Sequence, residues 1–248
     1  MTTTTVPDLV GGSTDPIMVS DRRRVRHVVL NRPAARNALT RAMRADLAAI
    51  LAAADADTAV DALVLTGTGR CFSAGVDLKD RIPGAPPVEP NPGVALRSLT
   101  KPVVAAVDGF CITGALEMAL SCAFVLASPQ ARFADTHCKL GLFPRWGGGT
   151  LLTSAIGARR ARQMMLAGTM VDAPTALAWG IVNEIVPGDR LLDRAGELAL
   201  AMADQSGRQP LSYALHEAML DAIDETAPAA SIEQELLDRF DRRPQSAS

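Results

Sequence analysis

Several absences narrow this 248-residue chain before any motif is read. Its four cysteines, Cys71, Cys111, Cys122 and Cys138, form no Cys-x-x-Cys pair and stand at no zinc-like spacing from the three histidines. They are expected as small buried residues in a reducing compartment, with no disulfide framework and no metal site. No apolar run reaches the roughly 18 residues of a membrane span. The start, Met1-Thr2-Thr3-Thr4-Thr5-Val6-Pro7, has neither the basic nor the apolar region of a secretory signal. Charge of one sign is also lacking: 25 Lys and Arg against 27 Asp and Glu leave a net −2. There is therefore no broad basic field of the kind that wraps nucleic acid. The local basic clusters Arg22-Arg23-Arg24-Val25-Arg26, Arg159-Arg160-Ala161-Arg162 and Arg242-Arg243 read as solvated surface, or as a place where a ligand phosphate is met. A cytoplasmic protein with no nucleic-acid and no membrane partner is expected. No internal repeat or long low-complexity segment is visible.

What is present is 48% hydrophobic residues, enough for one large core. Residues 1–15, rich in Thr, Gly and Pro, are expected as a mobile tail. Ile17 to Ser20 and Val25 to Leu30 predict a hairpin, ended by Asn31-Arg32-Pro33 because proline cannot continue a central ladder. Thr40 is placed to cap a helix running to about Ala54, in which Met43, Leu47, Ile50 and Leu51 keep helical spacing. Asp61 to Thr66 and Pro102 to Val107 are continuous apolar runs that suit buried parallel strands. A helix over Gly114 to Cys122 and a strand over Ala123 to Ala127 complete a βαβ pattern. The Pro-rich stretch from Pro83 to Pro92 reads as a mobile loop. Beyond Thr150 the pattern is nearly all helical: 151–156, 158–166, 173–179, 191–204, 211–223 and 231–240, with one strand over 181–186. The last helices have no sheet of their own, so their apolar stripes are expected against the core or a neighbouring subunit.

Two small-residue turns follow apolar strands: Cys71-Phe72-Ser73-Ala74-Gly75-Val76-Asp77-Leu78 and Gly109-Phe110-Cys111-Ile112-Thr113-Gly114-Ala115-Leu116-Glu117. Each alone is an ordinary turn needing glycine. Asn31-Arg32-Pro33 with Asn37-Ala38-Leu39, Phe72 to Leu78, Gly114 to Glu117, and Phe133-Ala134 with Gly141-Leu142-Phe143-Pro144 together resemble the enoyl-CoA hydratase/isomerase (crotonase) superfamily. The resemblance runs in order over about residues 17–245. It implies an α/β fold, a crotonase-like spiral of ββα repeats with a C-terminal helical trimerisation region. In this chain the implied bounds are 16–190 for the core with its acyl-CoA site and 191–248 for the helical oligomerisation region. A homotrimer or dimer of trimers is implied, with an acyl-CoA substrate and no cofactor apart from the coenzyme A carried by that substrate.

The resemblance also assigns roles. The backbone N–H groups of Val76 and Gly114 fall where the family stabilises a thioester enolate, and fixed donors in a dry site need no reorganisation as that charge forms. Glu117 matches the glutamate that orients and deprotonates water; its plainer reading is a carboxylate favoured near a helix N-terminus. His137 occupies the slot of a second glutamate, the group that protonates the α-carbon. An imidazole transfers protons near neutrality, so chemistry survives the exchange, while a histidine that merely lines the pocket is the alternative. Asp135, two residues earlier, points to the same face in an extended segment and either orients the ring or is solvated. Ala35, Arg36 and Ala38, with Ala74, Asp77 and Leu78, match positions that hold adenine and pantetheine. Leu140, Phe143, Pro144 and Trp146 are expected around the acyl end, core packing being the alternative for Trp146. Gly147-Gly148-Gly149-Thr150 is no P-loop, since no Gly-Lys-Ser/Thr follows; it lets backbone approach a ligand or opens a helix. The leading expectation is hydration of a 2-enoyl-CoA. A catalytically inactive acyl-CoA-binding protein and a retro-Claisen β-dicarbonyl hydrolase of the same fold remain alternatives, although the hydrolases pair their histidine with an aspartate nine residues on, where this chain has Trp146.

Overall fold

In the computed structural model, which describes residues 13–82 and 84–205, β1 (Ile17–Arg22) and β2 (Val25–Leu30) form an antiparallel hairpin. Arg23 and Arg24 turn it with positive φ of 49° and 64°, the handedness that matches strand twist. The basic cluster here is largely consumed by ion pairs. Arg24 holds Asp61 at 2.6 Å, and Arg26 holds Asp21 at 2.7 Å and Asp57 at 2.9 Å. The hairpin then pairs in parallel with β3 (Ala62–Gly67), which pairs with β5 (Val103–Val107). β7 (Phe124–Ala127) and β10 (Glu184–Ile185) continue the sheet. Every residue of β3 and β5 is buried, as expected for strands covered on both faces.

Each of three main-sheet strands feeds a strand of three residues in a second sheet. β3 leads to β4 (Cys71–Ser73), β5 to β6 (Phe110–Ile112) and β7 to β8 (Arg132–Ala134). β9 (Val171–Asp172) closes that sheet antiparallel to β8. β4 and β6 lie inside what the sequence presented as turns, because three residues carry too little alternation to register. Helices α1 (Arg41–Ala56), α2 (Pro92–Arg97), α3 (Gly114–Leu120), α4 (Gly148–Ala167) and α5 (Ala173–Trp179) complete this side of the molecule. The result is the stacked ββα progression that the resemblance implied.

Burial divides into two apolar layers. On one face Leu30, Leu63, Leu65, Val103 and Val107 pack with Phe72, Phe133, Leu116 and the Leu47 and Leu51 stripe of α1. On the other, Val29, Val64, Val104, Ala106 and Leu126 meet Leu191, Leu192, Ala195 and Ala199 of α6 (Leu191–Gln205). The first helix of the 191–248 region thus buries its apolar face against this chain's own sheet. The helices expected over 211–223 and 231–240, and residues 1–12, lie outside the described residues. Among the described residues no helix is long and apolar enough to cross a membrane.

Local signals explain most boundaries. Thr40 Oγ1 accepts from Met43 N at 3.2 Å and starts α1, a cap worth about 1 kcal/mol. The buried Lys101 ends the same helix by donating to the carbonyls of Ala54 (2.8 Å) and Asp57 (2.7 Å). The two helices expected over 151–166 are continuous in α4 except for a break at Gly157, where φ is 76° and ψ 153°. Pro92, read as the end of a loop, instead opens α2, with Asn91 as its cap. The strand expected over 181–186 shrinks to the two residues of β10.

One buried side chain ties the Asn-Arg-Pro loop to the second sheet. Asn37, fully buried with φ of 53°, donates through Nδ2 to the carbonyls of Thr68 (2.9 Å) and Cys71 (2.6 Å), and its Oδ1 accepts from Arg32 N at 2.7 Å. Asn37→Ala strands these groups and is expected to lower the free energy of unfolding by roughly 3 kcal/mol. Urea denaturation checks this; a loss below about 1 kcal/mol would show that water or loop relaxation replaces the amide.

Candidate active site

The two turns abut. Gly75 has φ of +87°, and a Cβ there would lie 2.3 Å from Thr113 Oγ1, 2.7 Å from the Ile112 carbonyl and 3.2 Å from Gly114 N. Only glycine allows both the backbone angle and that approach. Ser73 Oγ shapes the first turn by donating to the Asn37 carbonyl (2.8 Å) and accepting from Gly75 N (3.1 Å). A single parallel bridge joins Leu39 to Val76, through Leu39 N to the Gly75 carbonyl (2.8 Å) and Asp77 N to the Leu39 carbonyl (3.0 Å). That pattern directs the Val76 N–H away from Leu39. The second turn is fixed by Thr113, whose φ of 52° is rare for a β-branched residue and whose N–H donates to Ala134 at 2.9 Å. Gly114 then opens α3, where the first N–H groups of a helix have no intrahelical acceptor.

Glu117 sits one turn into α3 and is 2% exposed. Its Oε1 accepts from the backbone N–H groups of Trp146 (2.8 Å) and Gly148 (3.0 Å). Its Oε2 lies 3.6 Å from His137 Nε2, too far for a hydrogen bond and close enough for strong charge coupling. On the far side of the ring, His137 Nδ1 is 3.0 Å from Asp135 Oδ1, and that same oxygen accepts from His137 N at 2.9 Å. Asp135 is 2% exposed and His137 8%. Burial drives the Glu117 carboxyl up to about 7, opposed by the His137 charge and the two N–H donors and reinforced by Asp135. For His137 burial pulls downward, but the Asp135 hydrogen bond and charge, followed by Glu117, leave it above its usual 6.5. A carboxyl and an imidazole, both displaced upward, thus face one another in one buried place, an arrangement suited to acid/base chemistry.

The remaining candidate residues divide into three groups. Arg36 and Ala74 are brought together, with Ala74 N donating to the Arg36 carbonyl at 2.9 Å; Ala35 and Ala38 share that loop through an N–H to carbonyl bond of 3.0 Å. The Arg36 side chain is exposed and lies 6.0 Å above the Phe110 ring. Asp77 has a structural commitment: Oδ2 pairs with Arg32 at 3.1 Å and Oδ1 caps Lys79 N at 3.1 Å. Leu78 is exposed beside it. Past His137, Leu140 is exposed on a short helical turn, Phe143 is half-buried and Pro144 buried. Trp146 is buried, and its ring packs so closely on Gly114 that a Cβ there would meet it at 2.7 Å. The ring therefore belongs to the core and also walls the second turn.

Comparison with known proteins gives the family. The family model described as Enoyl-CoA hydratase/isomerase matches residues 21–245. The chain belongs to the enoyl-CoA hydratase/isomerase family. Relatives include a protein of Arabidopsis thaliana named probable enoyl-CoA hydratase 1, peroxisomal, 39% identical over 179 residues, 71% of this chain and 68% of that protein. The 2,3-dehydroadipyl-CoA hydratase of Escherichia coli K12 is 36% identical over 224 residues, 88% of this chain and 87% of that one. The crystal structure of an enoyl-CoA hydratase from Mycobacterium tuberculosis H37Rv superposes with a TM-score of 0.80 at 38% identity, covering 92% of this chain and all of that one.

Within this enoyl-CoA hydratase/isomerase chain, sequence reasoning underused three features. The Gly147-Gly148-Gly149 run brings backbone to the carboxylate of Glu117: a Cβ on Gly148 would lie 2.8 Å from Glu117 Cγ and 2.9 Å from Oε1. The run signalled close approach but not its target. Arg97, on α2, donates to the Trp146 carbonyl (2.9 Å) and to Ser121 Oγ (2.8 Å), and the latter donates to the Glu117 carbonyl (2.8 Å). Nothing local in the sequence marks that long-range tie. Cys138, expected to be buried, is exposed next to His137.

Because the folded Glu117 carboxyl keeps its proton up to about pH 7 while an ordinary one releases it near 4.5, its stabilising contribution is full below 4.5 and is lost as pH rises towards 7. Glu117→Gln removes the buried charge and keeps an oxygen for the two N–H donors. The variant is expected to melt roughly 5 °C above the wild type at pH 8 and level with it at pH 5. Equal melting at both values would mean the carboxylate carries no net burial cost.

Proposed function

We propose that the protein is an enoyl-CoA hydratase, a lyase that adds water across the C2=C3 bond of a 2-enoyl-CoA thioester. The observation that carries this reading is the buried pair of Glu117 and His137, 3.6 Å apart and close to the junction of the two turns through the Trp146 contact with Gly114. Family membership supports the thioester, and relatives named as hydratases support the reaction. The acyl-CoA is the small-molecule partner, no further cofactor takes part, and a homotrimer or a dimer of trimers follows the family resemblance; a cytoplasmic location follows the reducing compartment to which the cysteine usage points.

In the reactive state Glu117 is ionised and His137 carries the proton. Glu117 takes a proton from water as its oxygen bonds to C3, and the C2=C3 electrons move towards the thioester carbonyl. The developing oxyanion is held by the N–H groups of Val76 and Gly114, each such donor being worth about 3 kcal/mol in the barrier. His137 Nε2 delivers its proton to C2 as the carbonyl re-forms. The product is a 3-hydroxyacyl-CoA, with the water's OH on C3 and the proton from His137 on C2, so that one water is added in net. Glu117 then holds a proton and His137 none; transfer between Oε2 and Nε2 restores the starting state.

With purified protein, crotonyl-CoA and longer 2-enoyl-CoA thioesters are expected to lose their enoyl absorbance. Glu117→Gln is expected to lower kcat by about 10²–10⁴. Because the pair must hold one proton in total, kcat should fall on both sides of neutrality. A wild type as inert as Glu117→Gln across chain lengths would overturn the assignment.

A further inference from the structure

The hydration scheme uses Glu117 and His137 and leaves Asp135 without a task. Yet Asp135 is as deeply buried as Glu117, and one of its oxygens receives both the backbone N–H of His137 (2.9 Å) and the side of the ring carrying Nδ1 (3.0 Å). The His137 backbone is anchored further, its carbonyl accepting from Leu140 N (3.0 Å) and Leu142 N (2.9 Å). The charged groups that face the ring are Asp135 on the Nδ1 side and Glu117 of α3 on the Nε2 side. Lys139 turns away to the Gly168 carbonyl at the end of α4, 3.1 Å distant.

We propose that Asp135 is a positioning residue: by accepting the Nδ1 proton it presents His137 Nε2 towards Glu117, and it keeps the proton shared by that pair on the imidazole rather than on the carboxyl. This rests on Glu117 and His137 being the acid/base pair of hydration. An ionised carboxylate only accepts, so the Asp135 contact selects the tautomer protonated on Nδ1 and leaves Nε2 as the atom that gains and loses a proton. In a buried pair of one carboxyl and one imidazole, the neutral arrangement competes strongly with the ion pair because two charges must be desolvated. A second negative charge in contact with the ring shifts that competition towards imidazolium. The upward displacement of His137 agrees in direction. Asp135 thereby makes a histidine serviceable as the proton donor to C2.

The test is 15N NMR of histidine-labelled protein, wild type and Asp135→Asn, together with kcat and KM for crotonyl-CoA across pH. Wild-type His137 is expected to carry its proton on Nδ1 when neutral and to titrate at Nε2. In Asp135→Asn the His137 titration should move down by about one pH unit or more, and the alkaline limb of kcat should move with it. At pH 8 kcat should fall about tenfold to a hundredfold while KM stays within about twofold. A wild-type His137 protonated on Nε2 when neutral would overturn the proposal without any variant. So would an unmoved His137 titration in folded Asp135→Asn with normal wild-type hydration, which would leave the hydratase reading standing. A wild type inactive on enoyl-CoA whose His137 titration still depends on Asp135 would overturn the hydratase reading and leave the tautomer assignment intact.

Discussion

The site depends on keeping the Glu117 carboxyl out of water. An isolated carboxylate in an apolar interior is costly enough that it takes up a proton or finds partners. Here it does some of both. Two main-chain N–H groups meet one oxygen, an imidazole faces the other, and the carboxyl still rises to about 7. A group so poised accepts a proton readily near neutral pH, which an exposed glutamate does not. The neighbourhood follows from this one constraint. Gly148 lacks a side chain because Glu117 occupies that space, and Arg97 ties the Trp146 carbonyl and Ser121 to the helix that carries the glutamate.

The fold brings the chemistry together by stacking. Three main-sheet strands, β3, β5 and β7, each lead into a short strand of the second sheet, and the turns that leave those short strands arrive side by side. β4 delivers Gly75 and Val76; β6 delivers Thr113 and Gly114; β8 delivers Asp135 and His137. Successive repeats thus bring Val76, Gly114, Glu117 and His137 together from segments dozens of residues apart. Asn37 clamps the loop that bridges to Val76, so stability and the placement of the Val76 turn share one buried amide.

Much of this was legible in the chain. Continuous apolar runs identified β3 and β5, a threonine cap identified α1, and ordered motifs singled out Glu117 and His137, which the fold places 3.6 Å apart, and the two turns of Val76 and Gly114, which abut. Periodicity failed for β4, β6 and β8, where three residues carry too little pattern to separate a strand from a turn. It failed also at Pro92, which opens a helix instead of closing a loop. The contacts of Asp77 were invisible because a short-range motif does not reveal that Arg32, 45 residues earlier, takes up its carboxylate. Asp135 was the intermediate case: spacing placed it beside His137, but only the fold shows one oxygen meeting both the backbone and the ring.

The most direct measurement is a crystal structure with a bound 2-enoyl-CoA or an unreactive analogue. The account predicts the thioester oxygen about 3 Å from both Val76 N and Gly114 N. It also predicts Glu117 within hydrogen-bond reach of a water facing C3, and His137 Nε2 about 3–4 Å from C2. A thioester bound away from those two N–H groups, or a His137 ring pointing away from C2 with Glu117 alone near the double bond, would contradict it.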